Sequence, residues 1–126
     1  MRILVVDDQG HFRTRIASWL RMLHGIVSVQ AVASALEALA VMEEMKPDVV
    51  ITDLRMPEMD GFELTRKIKS KAEAPVVVVM TSLKYSKFHA HAVEVGADYS
   101  LEKLDMLEQL PVFLEQRFGV GGKRAG

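Results

Sequence analysis

The sequence predicts a doubly wound α/β fold, in which a parallel sheet of five strands is covered by five helices lying on both of its faces. Short apolar runs typical of buried strands alternate with longer segments whose apolar residues recur with the helical period. The runs that end at Asp53 and Thr81 are apolar throughout, as expected of central strands in a parallel sheet. Polar residues follow most of these strands, so we expect the functional chemistry at one edge of the sheet.

Composition is that of one soluble globular domain. The chain has 126 residues, of which 49% are hydrophobic and 26% are charged. Its net charge of −1, without a long basic run, argues against nucleic-acid binding through a basic patch. The lack of cysteine excludes disulfides, thiolate zinc sites and a cysteine nucleophile. Because no apolar run approaches about 18 residues, and a strand follows Met1 almost directly, we expect neither a membrane span nor a signal peptide, and a cytoplasmic location.

The first half of the chain alternates strand and helix twice. The first strand is predicted at Ile3–Val6, and a helix follows from about His11 to Leu23. A second short strand lies within Val27–Val32. Ser34 and Glu37 form a capping box, so a helix is predicted from there to about Met45.

The second half begins with the strand Val49–Asp53 and continues with a helix from Gly61 to about Ser70, for which Asp60 is the predicted N-cap. The β-branched run up to Thr81 is the clearest strand of the chain. A helix from near Ser86 to Val95 and a short strand at Tyr99–Leu101 come next.

The last helix contains a proline. Because proline fits the first turn of a helix and not its middle, Pro111 predicts a short turn over Asp105–Glu108 and then a helix from about Gln109 to Phe118. The domain is therefore expected to comprise residues 1–118, and the glycine-rich residues 119–126 a flexible tail.

Three acids stand at strand ends: Asp7 and Asp8 after the first strand, and Asp53 at the end of the third. If those strands are neighbours, three carboxylates crowd one crevice and repel each other strongly. A hard divalent cation such as Mg²⁺ would remove this conflict, because it takes oxygen ligands and also binds phosphate. The alternative is that Asp7 and Asp8 only cap the next helix.

Two further groups follow strands on the same edge. Thr81 offers a hydroxyl after the fourth strand, and Lys103 offers a cation after the fifth. Either residue alone is uninformative. Together with the acids, they suit a phosphoryl group in transfer, which needs positioning and charge neutralisation more than covalent chemistry.

In these motifs the chain resembles the receiver domain of bacterial two-component response regulators, including the single-domain chemotaxis and sporulation regulators. The resemblance covers residues 1 to about 118. The residues that carry it are Ile3-Leu4-Val5-Val6-Asp7-Asp8, Thr52-Asp53-Leu54-Arg55-Met56-Pro57-Glu58-Met59-Asp60-Gly61, Thr81 and Lys103. It implies a flavodoxin-like fold with strand order 2-1-3-4-5, and a signalling phosphoacceptor rather than an enzyme, which catalyses only its own phosphorylation and slow self-dephosphorylation.

The resemblance also implies a role for each site residue. Asp53 would be the nucleophile that becomes an aspartyl phosphate. Mg²⁺ would be held by Asp7, Asp8, Asp53 and the backbone carbonyl of Arg55. Thr81 would hydrogen-bond a phosphoryl oxygen, and Lys103 would pair with Asp53 at rest and with the phosphoryl group afterwards.

The partners implied are a histidine kinase or phosphotransfer protein that supplies the phosphoryl group, and a downstream target protein. The resemblance also allows a homodimer. Without an output domain, a single-domain regulator would act through protein binding; a fragment of a longer regulator is the other interpretation, with the tail as the start of a linker.

Three positions depart from the family pattern. Leu104 follows Lys103 where proline after a cis peptide is common, and a cis bond without proline costs about 2.5–4 kcal/mol. Ser100 stands where an aromatic residue usually reports phosphorylation, and the adjacent Tyr99 should point to the opposite face of the sheet. Gln9 stands where a third acid is frequent. We therefore expect output through backbone movement near Thr81 or through another residue.

Two other functions fit parts of this pattern. A phosphatase of the haloacid dehalogenase type also forms an aspartyl phosphate, but places its nucleophile after the first strand with a second acid two residues later, where this chain has Gln9. A receiver-like module that binds partners without ever being phosphorylated is the other alternative.

Overall fold

A computed structural model describes residues 1–82 and 87–119, which form one parallel sheet with helices on both faces. The strands are β1 (Arg2–Val6), β2 (Ser28–Val32), β3 (Val49–Asp53), β4 (Val76–Thr81) and β5 (Tyr99–Glu102). The helices are α1 (Gly10–Arg21), α2 (Ala35–Met45), α3 (Gly61–Lys69), α4 (Phe88–Glu94) and α5 (Met106–Phe118), the last preceded by a 3₁₀ turn at Lys103–Asp105. Within the described ranges, none of the helices has the length and apolar character that crossing a membrane requires.

The strand order is β2-β1-β3-β4-β5, which confirms the predicted doubly wound, flavodoxin-like fold. β1 and β3 are neighbours, with Val6 opposite Thr52, so the residues after β1 lie beside the end of β3. The order of the strands reverses at this point, and open α/β sheets bind their ligands there. The sheet thus brings the first and third strand ends together.

Successive residues of the central strands serve two cores. Ile3 and Val5 pack on the face covered by α1 and α5, whereas Leu4 and Val6 pack on the face covered by α2, α3 and α4. All residues of β3 and β4 are buried. Burial of each such side chain contributes roughly 1.5–3 kcal/mol, so the middle of the sheet is the most strongly held part of the fold.

The first turn of α3 is fixed to the end of β3. The Gly61 amide donates to the Leu54 carbonyl at 2.8 Å, and the Asp60 carboxylate accepts from the Glu63 amide at 2.8 Å, as the predicted N-cap requires. A Cβ atom on Gly61 would lie 2.3 Å from the backbone oxygen of Asp53. Glycine is therefore needed for the helix to approach the strand end this closely.

The prediction for the last helix is wrong. α5 begins at Met106, so Pro111 lies inside it and has no amide to donate to the carbonyl of Leu107. A proline in a helix interior costs about 3 kcal/mol. Met106, Leu110 and Leu114 are each at most 1% exposed in the core beneath α5, and their combined burial outweighs that cost.

Two boundary predictions concern residues outside the described ranges. The predicted start of the fourth helix near Ser86 is one, and the described part of that helix begins at Phe88. The predicted flexible tail is the other, apart from Gly119, which ends α5 in a left-handed conformation. Among the described residues there is no cis peptide, so the bond between Lys103 and Leu104 is trans.

Gly61→Ala is expected to destabilise the protein by about 1–3 kcal/mol, because the new methyl group would overlap backbone atoms of β3. Urea unfolding followed by circular dichroism measures the loss. Gly10→Ala is the matched control, since a Cβ there meets only an Arg13 side-chain nitrogen at 3.6 Å. Equal stabilities of the two variants would contradict the close packing of α3 on β3.

Candidate functional site

Three carboxylates converge at the carboxyl end of the sheet. Asp7 and Asp8 follow β1, Asp53 ends β3, and one carboxylate oxygen from each lies within 4.8 Å of the others. Asp7 is fully buried and Asp53 is 6% exposed, whereas Asp8 is exposed. The structure therefore brings the three predicted acids into one crevice that opens to solvent on the side of Asp8.

The surroundings of Asp53 disfavour its ionised form, so the crevice resists carrying a negative charge on every carboxylate. Burial, and after it the nearby charge of Asp7, raise the pKa of Asp53 from 3.8 to about 6, although Lys103 and the Leu54 amide act in the opposite direction. Part of the negative charge is thus left without compensation by the protein. A cation bound among these carboxylates would favour their ionised forms.

Lys103 reaches the crevice from the 3₁₀ turn after β5. Its ammonium lies 2.9 Å from Asp7 Oδ2 and 3.3 Å from Asp53 Oδ2, with 7% of the side chain exposed. The predicted proximity to Asp53 is present although Leu104 replaces the proline usual in the family. The shorter contact is to Asp7, which sequence reasoning did not anticipate.

The two oxygens of Asp7 have different partners. Oδ1 accepts from the backbone amide of Gln9 at 2.8 Å, in the loop before α1, and Oδ2 faces Lys103. Asp7 therefore holds this loop and also belongs to the cluster of site carboxylates, but it does not cap α1. Asp8 does not cap α1, because the N-cap residue is Gln9 and makes no side-chain cap hydrogen bond.

Thr81 and Arg55 lie on the same edge of the sheet. Asp53 is opposite Met80 in the β3–β4 register, so Thr81 is one residue further along the neighbouring strand, and it is 1% exposed. Arg55 lies two residues after Asp53, in a loop that lines an open depression together with Asp8. The elements predicted to build the site thus meet at one edge.

The donor atoms suit a hard divalent cation. Three carboxylates supply oxygen ligands, and the exposed Asp8 leaves room for the waters that Mg²⁺ retains. There is no cysteine to favour a softer metal. Asp7, Asp8 and Asp53 could therefore hold a magnesium ion without rearrangement of the strands.

Two contacts of Lys103 were not predicted from the sequence. The ammonium lies 3.3 Å from Gln9 Oε1 and 4.2 Å from the centroid of the Phe12 ring. Phe12 was interpreted only as an apolar residue of α1. Phe12 lies in the first turn of α1, about one helical turn after Gln9, and this helix starts beside Asp7. That position is the available signal that Phe12 lies near the site.

The β5 residues at the switch positions point to opposite faces, as predicted. The Tyr99 ring stacks on Phe113 of α5 with centroids 4.5 Å apart. The Ser100 hydroxyl forms a hydrogen bond of 2.5 Å with His89 Nδ1 on α4. A small polar side chain in contact with α4 thus takes the place of the aromatic residue common in the family.

In metal-free protein, Asp53→Asn is expected to raise the melting temperature at about pH 8 and to lose this advantage towards about pH 5. Because the pKa of Asp53 is raised to about 6, its contribution to stability is present below its unfolded value of 3.8 and is lost as the pH rises through about 6. Thermal unfolding in EDTA across this pH range measures the difference. A difference that does not change with pH would contradict the raised pKa.

Known proteins share both the sequence and the fold. The family profile of the response regulator receiver domain matches residues 3–114. Response regulator GacA of Pseudomonas aeruginosa is 32% identical over 118 residues, which is 94% of this chain and 55% of GacA. A protein-glutamate methylesterase/protein-glutamine glutaminase of Alkalilimnicola ehrlichii is 36% identical over 132 residues, which is 98% of this chain and 34% of that protein.

The chain thus spans between about a third and just over half of the length of these curated relatives. Among solved structures, a response regulator receiver domain protein from Clostridium thermocellum is 28% identical, with a TM-score of 0.83 and 94% of each chain covered. The profile match covers most of the sequence, and the solved structure aligns with 94% of this chain. This chain belongs to the response regulator receiver domain family of two-component systems.

Proposed function

We propose that this receiver domain accepts a phosphoryl group on Asp53 from a histidine kinase or phosphotransfer protein, in a reaction that requires Mg²⁺. The observation that carries the proposal is the position of Asp53, which lies in contact with the Lys103 ammonium at 3.3 Å and within 4.8 Å of two further carboxylates. Such an arrangement neutralises the oxygens of a phosphoryl group and leaves one carboxylate as the nucleophile.

In the proposed reaction, a carboxylate oxygen of Asp53 attacks phosphorus in line with the bond to the leaving group. The new oxygen–phosphorus bond forms as the donor's bond to phosphorus breaks, and the electron pair of that bond leaves with the donor. Asp53 is mostly ionised above about pH 6, so it is a competent nucleophile at neutral pH. The Lys103 ammonium, 3.3 Å from Asp53 Oδ2, would contact the new phosphoryl oxygens.

Asp7, Asp8, Asp53 and the backbone carbonyl of Arg55 would hold the magnesium ion. When bound, the ion supplies charge neutralisation for the phosphoryl oxygens. Thr81 would donate its hydroxyl to one of these oxygens, since its strand runs beside β3 and it lies one residue beyond the level of Asp53. Each role goes to a residue at the same sheet edge.

The output would be a change of affinity for a target protein. Phosphorylation would shift an equilibrium between two conformations, and only a partner that binds them unequally would read the shift. Slow hydrolysis of the aspartyl phosphate would reset the domain. A cytoplasmic location and homodimer formation are compatible with this function and belong to the same proposal.

A binding module that is never phosphorylated is the second candidate, and the Ser100–His89 contact in place of the usual aromatic residue favours it. The complete set of acids, hydroxyl and lysine supports the phosphoacceptor instead. A phosphatase of the haloacid dehalogenase type is less well supported, because Gln9 stands at the position of its second acid and contacts Lys103.

Acetyl phosphate with Mg²⁺ is expected to add one phosphoryl group to the protein, because it is a small-molecule donor that needs no partner surface. Asp53→Asn should abolish the adduct, and Asp105→Asn, a change outside the crevice, should leave it intact. Mass spectrometry of the intact protein and of its peptides measures both. An adduct of normal yield in the Asp53→Asn protein, or none in the parent, would refute the proposal.

Mg²⁺ is expected to raise the melting temperature of the parent protein, because an ion that binds only the folded state stabilises it by an amount that grows with the logarithm of its concentration above the Kd. Asp8→Asn should remove most of the increase, since it removes an exposed ligand without disturbing the core. Thermal unfolding at increasing Mg²⁺ concentration measures the effect, with Asp105→Asn as the control. An Asp8→Asn protein that responds like the parent would contradict the assigned ligands.

A further inference from the structure

The ammonium of Lys103 has partners on several sides. It donates to Asp7 Oδ2 at 2.9 Å and to Gln9 Oε1 at 3.3 Å, and it forms an ion pair with Asp53 Oδ2 at 3.3 Å. The Phe12 ring lies 4.2 Å away and faces the same nitrogen. Contacts to the side chain itself therefore define where the cation lies.

The backbone around Lys103 provides little of this positioning. Leu104 is 90% exposed, and the 3₁₀ turn Lys103–Asp105 contains no buried residue. A lysine side chain carries about 2 kcal/mol of rotamer entropy, so an unsupported one would occupy many positions. The Lys103 side chain must therefore be held by its contacts across the crevice, with the two acids and with residues at the start of α1.

Gln9 and Phe12 are themselves held in place. The backbone amide of Gln9 donates to Asp7 Oδ1 at 2.8 Å, and the backbone carbonyl of Gln9 accepts from the backbone amide of Arg13 at 2.9 Å. Phe12 packs against the core between α1 and the sheet. These contacts hold the start of α1, which carries both side chains, beside the cation.

We propose that Phe12 and Gln9 are positioning residues that hold the Lys103 ammonium beside Asp53 and thereby accelerate phosphoryl transfer. The inference rests on the proposed function and deepens it. An aromatic face and a neutral amide attract a cation without neutralising its charge. These two contacts therefore hold the cation without adding to the carboxylates of Asp7 and Asp53 that already pair with it, whereas a carboxylate at position 9 would be a third competitor for its charge.

Phe12→Leu tests the role of the ring, because leucine keeps an apolar side chain and lacks the aromatic face. We expect the rate of Asp53 phosphorylation by acetyl phosphate at saturating Mg²⁺ to fall about 3- to 10-fold, and Phe12→Tyr to stay within about twofold of the parent. Gln9→Glu should also slow the reaction, while Gln9→Asn, which keeps an amide, should slow it less.

A double-mutant comparison separates positioning from general structural damage. In a Lys103→Met background, Phe12→Leu should cause no further loss of rate, because there is no ammonium to position. An equal loss with and without the lysine would overturn the proposal, as would a Phe12→Leu rate equal to that of the parent.

A measurement that needs neither metal nor phosphoryl transfer keeps the two proposals distinct. A proton on the Lys103 ε-carbon close to the Phe12 ring should show an upfield ring-current shift in NMR spectra of the metal-free protein. The shift should disappear in Phe12→Leu and persist in Phe12→Tyr. Its absence from the parent would overturn the positioning by Phe12, whereas its presence in a protein that takes no phosphoryl group would refute only the proposed function.

Discussion

The structure depends on one electrostatic conflict, the crowding of three carboxylates of which two share a single ammonium. Asp7 and Asp53 are buried at the meeting point of β1 and β3, and Lys103 is the basic side chain that forms ion pairs with both in the described chain. Desolvated charges interact strongly, so the protein tolerates this arrangement only because the strands around it are firmly packed. The remaining negative charge makes the crevice suited to a cation, which the proposed phosphoryl transfer requires.

The packing of the sheet holds the carboxylates close together despite their repulsion. β3 and β4 are buried on both faces, and α3 is tied to the end of β3 through the close approach of Gly61. The site residues themselves lie at strand ends and in the loops that follow, where the chain is less constrained. The position of Asp53 is thus fixed by the packed strand β3, whereas the position of the Lys103 ammonium depends on its side-chain contacts.

Much of this organisation was predictable from the sequence. The apolar runs determined the sheet, and the residues that follow them, Asp8 and Lys103 among them, pointed to one edge because parallel strands end on the same side. The start of α5 was not predictable from Pro111, since burial of the side chains around it outweighs a local preference. The contact of Phe12 with Lys103 was also not predicted, because helical periodicity indicates which face of the helix a residue occupies and not which group of another element its side chain meets.

The hydrogen bond between Ser100 and His89 links β5 to α4 where an aromatic residue is usual in the family. An aromatic ring can rotate among several packed positions, and the energy of its contacts changes gradually as it does so. A hydrogen bond between two short-reach polar atoms weakens steeply with distance and angle. In this chain, α4 is therefore joined to β5 by a hydrogen bond that a small displacement of the helix would already weaken steeply.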